Sequence, residues 1–296
     1  MVFLYNVIMK RLFKLAYVVL VTGAFLPCVS LAASFAIVPS VVTQGEPLMV
    51  VLGDTTATTS IKRLAIGATS LPITMYHHKY IALYGVDLRA KTGTSTVVLT
   101  FKNGQKESVP FVISSRKKET APLGIPAKLG GTSTSSVKAL VSALASDQVL
   151  LNRKTPTTLK KIWQGDFSYP LKEVVVTDSY GYSRVTAGEE IAHKGVDYRA
   201  EVGTPVYAIN RGVVRVSRYF KTFGNLVAID HGYGLYSLYL HLSKRFVNEG
   251  ELVSPQAQIG LSGDTGYAEG AHLHLSIRLD GKAIDPVAFY TLLKDI

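Results

Sequence analysis

Near the C-terminus one stretch alternates without a break. Leu273, Leu275, Ile277 and Leu279 fall on one parity, and His272, His274, Ser276 and Arg278 on the other. A period of two predicts a strand with one buried face. It also sets His272 and His274 side by side on the polar face, roughly 6.5–7 Å apart along the backbone. Tyr236–Leu242 has the same period, with Leu238, Leu240 and Leu242 predicting a core face and Ser237, Tyr239 and His241 the opposite one. Further short apolar runs at Val174–Thr177, Val206–Ile209, Gly212–Ser217, Leu226–Asp230 and Gln258–Leu261 are separated by glycines. This pattern predicts a tightly turned antiparallel sheet around a groove.

The first half reads differently. Apolar runs recur at Phe35–Val38, Leu48–Leu52, Ile61–Ile66, Tyr80–Tyr84, Val97–Phe101 and Val109–Ile113, with Gly, Pro, Asn and Thr between them. Such spacing predicts a small all-β sandwich of the immunoglobulin-like sort. Asn103-Gly104 is a hairpin signal. His77 and His78 fall in a turn with no acidic neighbour at ligand spacing and read as surface residues. Arg116 to Gly131 is linker-like in its charge, prolines and glycines. Ser133 to Leu151 predicts a helix, because Val137, Leu140, Val141 and Leu144 fall at helical spacing behind capping Ser and Thr residues. Leu159–Trp163 predicts a short helix or a strap, and Trp163 reads as a packing residue.

The first 32 residues change the compartment. Lys10, Arg11 and Lys14 precede an apolar run from Leu15 to Leu26, and Ser30-Leu31-Ala32 supplies the small residues of a cleavage site. This is the pattern of an export signal, and it predicts no stable membrane insertion once the signal is removed. The one cysteine, Cys28, lies inside it and follows Pro27 rather than a small residue, so lipidation is not expected. The mature chain then has no thiolate, and any transition-metal site must use His, Asp or Glu. Loss of the segment's three basic residues, with no acids, takes the net charge from +11 to +8. Outside the cytoplasm that charge suits anionic envelope polymers. No nucleic-acid-binding pattern is present, and no nucleic-acid partner is expected.

Three histidine positions in the second half carry candidate chemistry. His193-Lys194-Gly195-Val196-Asp197 reads as a loop entering a strand, offering an imidazole and a carboxylate of the kind that suits zinc. His241 leaves the leucine face of its strand. His272 and His274 share a third strand. Asp230 and His231 read as a turn, and Glu189 and Glu190 as solvated loop charge.

With these motifs in order, the segment from about Tyr180 to Tyr290 resembles the LytM-type domain of the M23 family, zinc metallopeptidases that cut peptide cross-links of bacterial peptidoglycan. The resemblance rests on H-x-x-x-D at His193 and Asp197, Tyr-Leu-His-Leu at His241, and H-x-H at His272 and His274. Supporting stretches are Gly203-Thr204-Pro205-Val206, Gly224-Asn225-Leu226-Val227, Asp230-His231-Gly232, Gly260–Gly266 and Asp285-Pro286. It implies one Zn2+ per chain held by His193, Asp197 and His274, with His241 and His272 as catalytic histidines. The implied function is an exported zinc metalloendopeptidase, periplasmic or secreted, that hydrolyses peptide bonds in peptidoglycan stem peptides or cross-links. Three protein ligands leave a zinc position open for the attacking water, and imidazole is the available proton carrier.

The implied organisation is a signal peptide at 1–32, an all-β Ig-like domain at 33–115, a linker with a helix at 116–168, and a LytM/M23 peptidase domain at 169–296. The fold class is mainly β. The chain departs from the family pattern at Tyr180-Gly181-Tyr182-Ser183, where Ser183 stands for the usual arginine and Arg184 follows. It departs again at Leu275-Ser276, where Phe-Glu is common. A non-catalytic LytM-type binding module, or an activator of cell-wall amidases, is the alternative function. Such proteins have lost ligands, whereas all five site residues are present here. The long prefix further suggests autoinhibition, a segment of the N-terminal half lying over the groove.

Overall fold

The structure, a computed structural model, describes residues 34–53, 58–122, 131, 133–186 and 189–294. The expected export signal and residues 123–130 of the expected linker lie outside the described residues. Among the described residues no helix is long and apolar enough to cross a membrane.

Residues 34–114 form the expected sandwich. One sheet pairs Phe35–Val38, Pro47–Leu52, Lys79–Gly85 and Thr74–Tyr76 in that spatial order. The other orders Val41–Thr43, Lys106–Ser114, Gly93–Phe101, Ile61–Ile66 and Thr69–Ser70. Phe35, Leu48, Val50, Leu64, Val97, Leu99 and Phe111 from both sheets fill one core. Asn103-Gly104 makes the hairpin turn, with Gly104 at φ +89° and Thr100 opposite Lys106. His77 and His78 also occupy a tight turn with positive φ, but His77 Nε2 meets Asp166 Oδ1 at 2.5 Å. The acidic partner missing from the local sequence arrives from a segment 89 residues away.

Pro47–Leu52 is apolar at nearly every position because both its faces are covered. Leu48, Val50 and Leu52 enter the sandwich core, while Met49 joins the core of the C-terminal half together with Tyr76 and Ile81. Residues 33–296 accordingly cluster as one compact unit. The start of the expected linker is structured too. Thr120–Pro122 pairs in parallel with Ser183–Thr186. Arg116 reaches the Gln44 carbonyl through Nε at 2.8 Å and Asp285 through Nη2 at 3.1 Å.

The C-terminal half is built on an eight-stranded antiparallel sheet. Its central strands are β1 (Val196–Arg199), β2 (Gly212–Phe220), β3 (Gly224–Gly232), β4 (Leu235–Leu242) and β5 (His272–Leu279), in the spatial order β1-β5-β4-β3-β2. One face carries Val196, Tyr198, Tyr239, Leu273, Leu275 and Ile277 into the main core. Asp230 and His231 belong to β3 and are fully buried, which corrects the expectation of a turn. The strap expected at Leu159–Trp163 is present: Ile162 and Trp163 donate their N–H groups to the His231 carbonyl at 2.8 and 3.0 Å. Trp163 packs beside Phe167 and Tyr233, as its packing role requires.

Among the described residues two α-helices complete the fold. α1 (Thr134–Lys154) starts at the Ser133 cap, whose side chain accepts from the Ser136 N–H. It runs three residues beyond the expected Leu151. α2 (Pro286–Lys294) was not anticipated, although Asp285-Pro286 is its start signal: proline stands at the first helical position, and Asp285 Oδ1 accepts from the Val287 N–H at 2.9 Å.

Candidate active site

The strand register brings the site together. Asp197 on β1 stands directly opposite His274 on β5, so their side chains emerge on the same face. His193 lies just before β1 and reaches the same point. His274 Nδ1 is 2.8 Å from Asp197 Oδ1, His193 Nε2 is 3.1 Å from that oxygen, and the two ring nitrogens are 3.0 Å apart. A tetrahedral site with ~2.0–2.1 Å bonds places its ligand atoms about 3.3 Å apart, so this donor set fits one ion of the zinc type. The approach depends on Gly195, since a Cβ there would sit 2.4 Å from His274 Nε2. The other nitrogen of His193 donates to the Ser179 carbonyl at 2.9 Å, which fixes the ring and its tautomer.

The site is electrostatically tuned. Burial alone would raise the Asp197 pKa, but the hydrogen bonds and charge of His193 and His274 hold it far below the carboxylate range. For His193 the desolvation that lowers its pKa is outweighed by Asp197, and the net shift is upward. His274 shifts down, chiefly through burial.

His241 arrives by a route that alternation does not predict. Leu240 pairs with His274 and Leu238 with Ser276, so these two leucines face the groove, while Ser237 and Tyr239 face the main core, as does Leu242 beyond the strand's irregularity. Of the three leucines expected on a core face, Leu242 is in the main core and Leu238 and Leu240 are on the groove face, so simple alternation would bury His241 on the far side. A bulge corrects this. Asn225 stands opposite Leu242 and Val227 opposite Tyr239, so three residues of β4 span two of β3. His241 absorbs the extra residue at φ +60°, a strained conformation for a non-glycine residue that costs about 1–3 kcal/mol. Its N–H donates to the Phe223 carbonyl at 3.0 Å, and Nδ1 donates to the Thr265 carbonyl at 2.8 Å. Burial first, then the neighbouring His272 and His274, pull its pKa down to about 3.

His272 completes the set. Its Nδ1 donates to the Gly270 carbonyl at 2.8 Å, while Nε2 lies 3.7 Å from Asp197 Oδ1. The rings of His241 and His272 are 5.0 Å apart. In both histidines a backbone carbonyl takes the Nδ1 proton, leaving Nε2 as the basic atom toward the groove. All five anticipated residues line that groove. The supporting carbonyls of Ser179, Thr265 and Gly270 carried no sequence signal, because backbone acceptors are independent of side-chain identity.

The two departures from the pattern are accommodated. Arg184 pairs with Asp178 at 2.8 Å and Glu269 at 3.0 Å, and all three line the groove. Ser276 donates to the Lys194 carbonyl at 2.6 Å, securing the loop that carries His193. Glu190 lies on a strand rather than a loop, exposed and paired with Lys118 at 2.6 Å.

α1 lies across this groove. Val141, Leu144, Gln148, Leu151 and Asn152 line the same cavity as the five site residues. Leu151 is buried among Leu238, Leu240, Val216 and Phe220, and Val137 and Leu140 pack with Ile191 and Tyr267. Asp147 Oδ2 accepts from the Thr222 N–H at 2.8 Å and its hydroxyl at 2.7 Å.

An antiparallel β-sheet groove with a His-Asp-His cluster that could hold a metal ion, and two further histidines beside it, has the make-up of a metallopeptidase-type site. The sequence model of Peptidase family M23 matches residues 191–286. Over 93 residues the chain is 43% identical to peptidoglycan DD-endopeptidase ShyA of Vibrio cholerae, covering 31% of this chain but only 22% of that relative. Over 203 residues it is 30% identical to the uncharacterized lipoprotein YgeR of Escherichia coli, covering 67% of this chain and 74% of the relative. A crystal structure from Pseudomonas aeruginosa assigned to peptidase M23 has the same fold: TM-score 0.62, 22% identity, 84% of this chain and 95% of that one. The chain belongs to peptidase family M23.

Proposed function

We propose that the protein is a zinc metalloendopeptidase of the cell envelope that hydrolyses peptide bonds in peptidoglycan. The observation that carries this reading is the convergence of His193, Asp197 and His274 beside His241 and His272 in one groove. A zinc ion held by the first three would supply Lewis acidity, lowering the pKa of a water from ~15.7 toward ~7 and polarising the scissile carbonyl. Of His241 and His272, each oriented by a carbonyl on Nδ1, one would take the water's proton at Nε2 and the other, when protonated at Nε2, would donate to the developing oxyanion. The export pattern of residues 1–32, the basic charge and the peptidoglycan endopeptidases among the relatives support the compartment and the polymer. The sandwich at 33–115, the connection at 116–168 and the catalytic part at 169–296 are the proposed domains, docked as one unit in the resting enzyme.

The position of α1 further supports autoinhibition: with its residues lining the cavity, an extended substrate enters only after the helix moves. The test is the release of peptides from isolated sacculi by the chain beginning at Ala33. Activity should disappear with a chelator and return with zinc. A zinc-loaded, folded chain that releases nothing even after α1 is detached would overturn the reading.

A further inference from the structure

Four positions beyond His274, on the same groove face of β5, stands Arg278. It is 8% exposed and lines the groove with the five site residues. Among the described residues no carboxylate pairs with it. Its Nη1 donates to Asn152 Oδ1 and its Nη2 to Gln148 Oε1, both at 3.2 Å and both neutral amides of α1. Its Nε is buried and has no hydrogen-bond partner among the described residues. Burial alone lowers its pKa, to about 10, so the guanidinium keeps its charge at neutral pH.

A buried cation satisfied only by two amides, with one donor orphaned, is costly in a folded protein. Neighbouring charge does not relieve it: burial alone acts on Arg278, and the charge that does couple to it, Lys194, is of the same sign. What would satisfy Arg278 is a planar anion accepting from Nε and one Nη together, the side-on fork that matches a carboxylate. The two amides that now hold it belong to the helix lying over the site. They leave when the helix leaves, freeing further donors just as the groove opens.

We infer that Arg278 is a carboxylate-binding residue of the substrate groove, selecting peptides that carry a free carboxylate, and that Gln148 and Asn152 of α1 stand in for that carboxylate in the covered state. At ~3.3 Å per residue, Arg278 is roughly 13 Å of strand from His274, so the carboxylate lies about four extended residues from the bond that is cut. The inference rests on the hydrolase reading above for its substrate, but it can fail separately.

The test uses cross-linked muropeptide dimers with free carboxylates and the same dimers with those carboxylates amidated. They are given to the chain from Ala33 and to its Arg278→Gln and Arg278→Lys variants, with circular dichroism confirming their fold. Alongside turnover, the Arg278 Nε–H resonance is followed by NMR on adding each dimer. The wild-type chain should favour the free acid by about tenfold or more in kcat/KM, the range of one charge-assisted pair. Arg278→Gln should bring that ratio to near one, and Arg278→Lys should leave it intermediate. The Nε–H signal should move with the free acid only. Equal turnover of both dimers by the wild-type chain, a preference that survives Arg278→Gln, or an Nε–H signal that ignores the free acid would overturn the inference. A zinc-loaded chain that cleaves neither dimer even with α1 detached by Leu151→Ala, yet shifts that signal with the free acid alone, would sink the hydrolase reading and keep the carboxylate site.

Discussion

Detaching α1 is the most informative perturbation, and Leu151 is the place to do it. The side chain is 1% exposed and sits among Val216, Phe220, Leu238 and Leu240. Leu→Ala at such a site costs about 2–5 kcal/mol. Much of that falls on the covered state, because with the helix displaced the leucine no longer packs there. Taking about 2–3 kcal/mol as the differential, the fraction of uncovered enzyme rises about 30–150-fold, until it approaches unity. The assay is peptide release from sacculi at fixed zinc and enzyme concentration, with near-ultraviolet circular dichroism to confirm the fold. A reversible control follows from the chain's composition, since Cys28 is its only cysteine and lies outside residues 33–296. Cysteines at Asp147 and Thr222, whose side chains touch, should lock the helix when oxidised and release it on reduction. Unchanged rates in folded Leu151→Ala, together with an oxidised pair as active as the reduced one, would refute the reasoning. Truncation to Tyr169 is a poorer test, because it would strip Met49, Tyr76, Ile81 and Trp163 from the main core.

Other outcomes follow from single side chains. His241→Ala and His272→Ala should each lower kcat by about 10²–10⁴-fold while leaving bound metal unchanged, read by turnover beside metal content. Gly195→Ala should weaken metal binding by at least about tenfold in a competitive chelator titration, because the new methyl meets the His274 ring and the Leu275 carbonyl. His231 is fully buried between the Arg211 carbonyl and Ser237 Oγ, and burial lowers its pKa from 6.5 to about 4. The unfolded chain therefore binds the proton first on acidification, so the stability from keeping His231 neutral is full above pH 6.5 and lost as pH falls toward 4. The loss is about 3 kcal/mol, and calorimetric Tm values should show a shallower decline over that window in His231→Gln.

Much of the site was legible because it follows period-two strands. The alternation at His272–Leu279 placed both imidazoles on one face, and the loop entering β1 offered His193, with Asp197 on the strand just after it. What alternation mispredicted was β4. Leu238 and Leu240 looked like core but form a groove floor covered by α1, and His241 turns back to the site only through a bulge and a positive φ. Neither has a local signature, since both are imposed by pairing with β3 and by the Thr265 carbonyl. The same holds for the N-terminal half. Its strands and hairpin were readable, but the docking of Met49 and Ile81 onto the C-terminal core depends on contacts far apart in sequence. The nearly continuous apolar run Pro47–Leu52 was the one hint that both faces are covered. α2 was missed although its Asp285-Pro286 start was in view, its length being close to the shortest a helix usually has.

The account depends on one ion gripped by residues drawn from the loop before β1, from β1 itself and from β5. Metal content of the purified chain from Ala33, measured by mass spectrometry after extensive dialysis, tests this directly. The account predicts close to one zinc per chain, falling to near zero in folded His193→Ala and His274→Ala. A chain that holds no metal when supplied with zinc, or holds it undiminished after both substitutions, would contradict it.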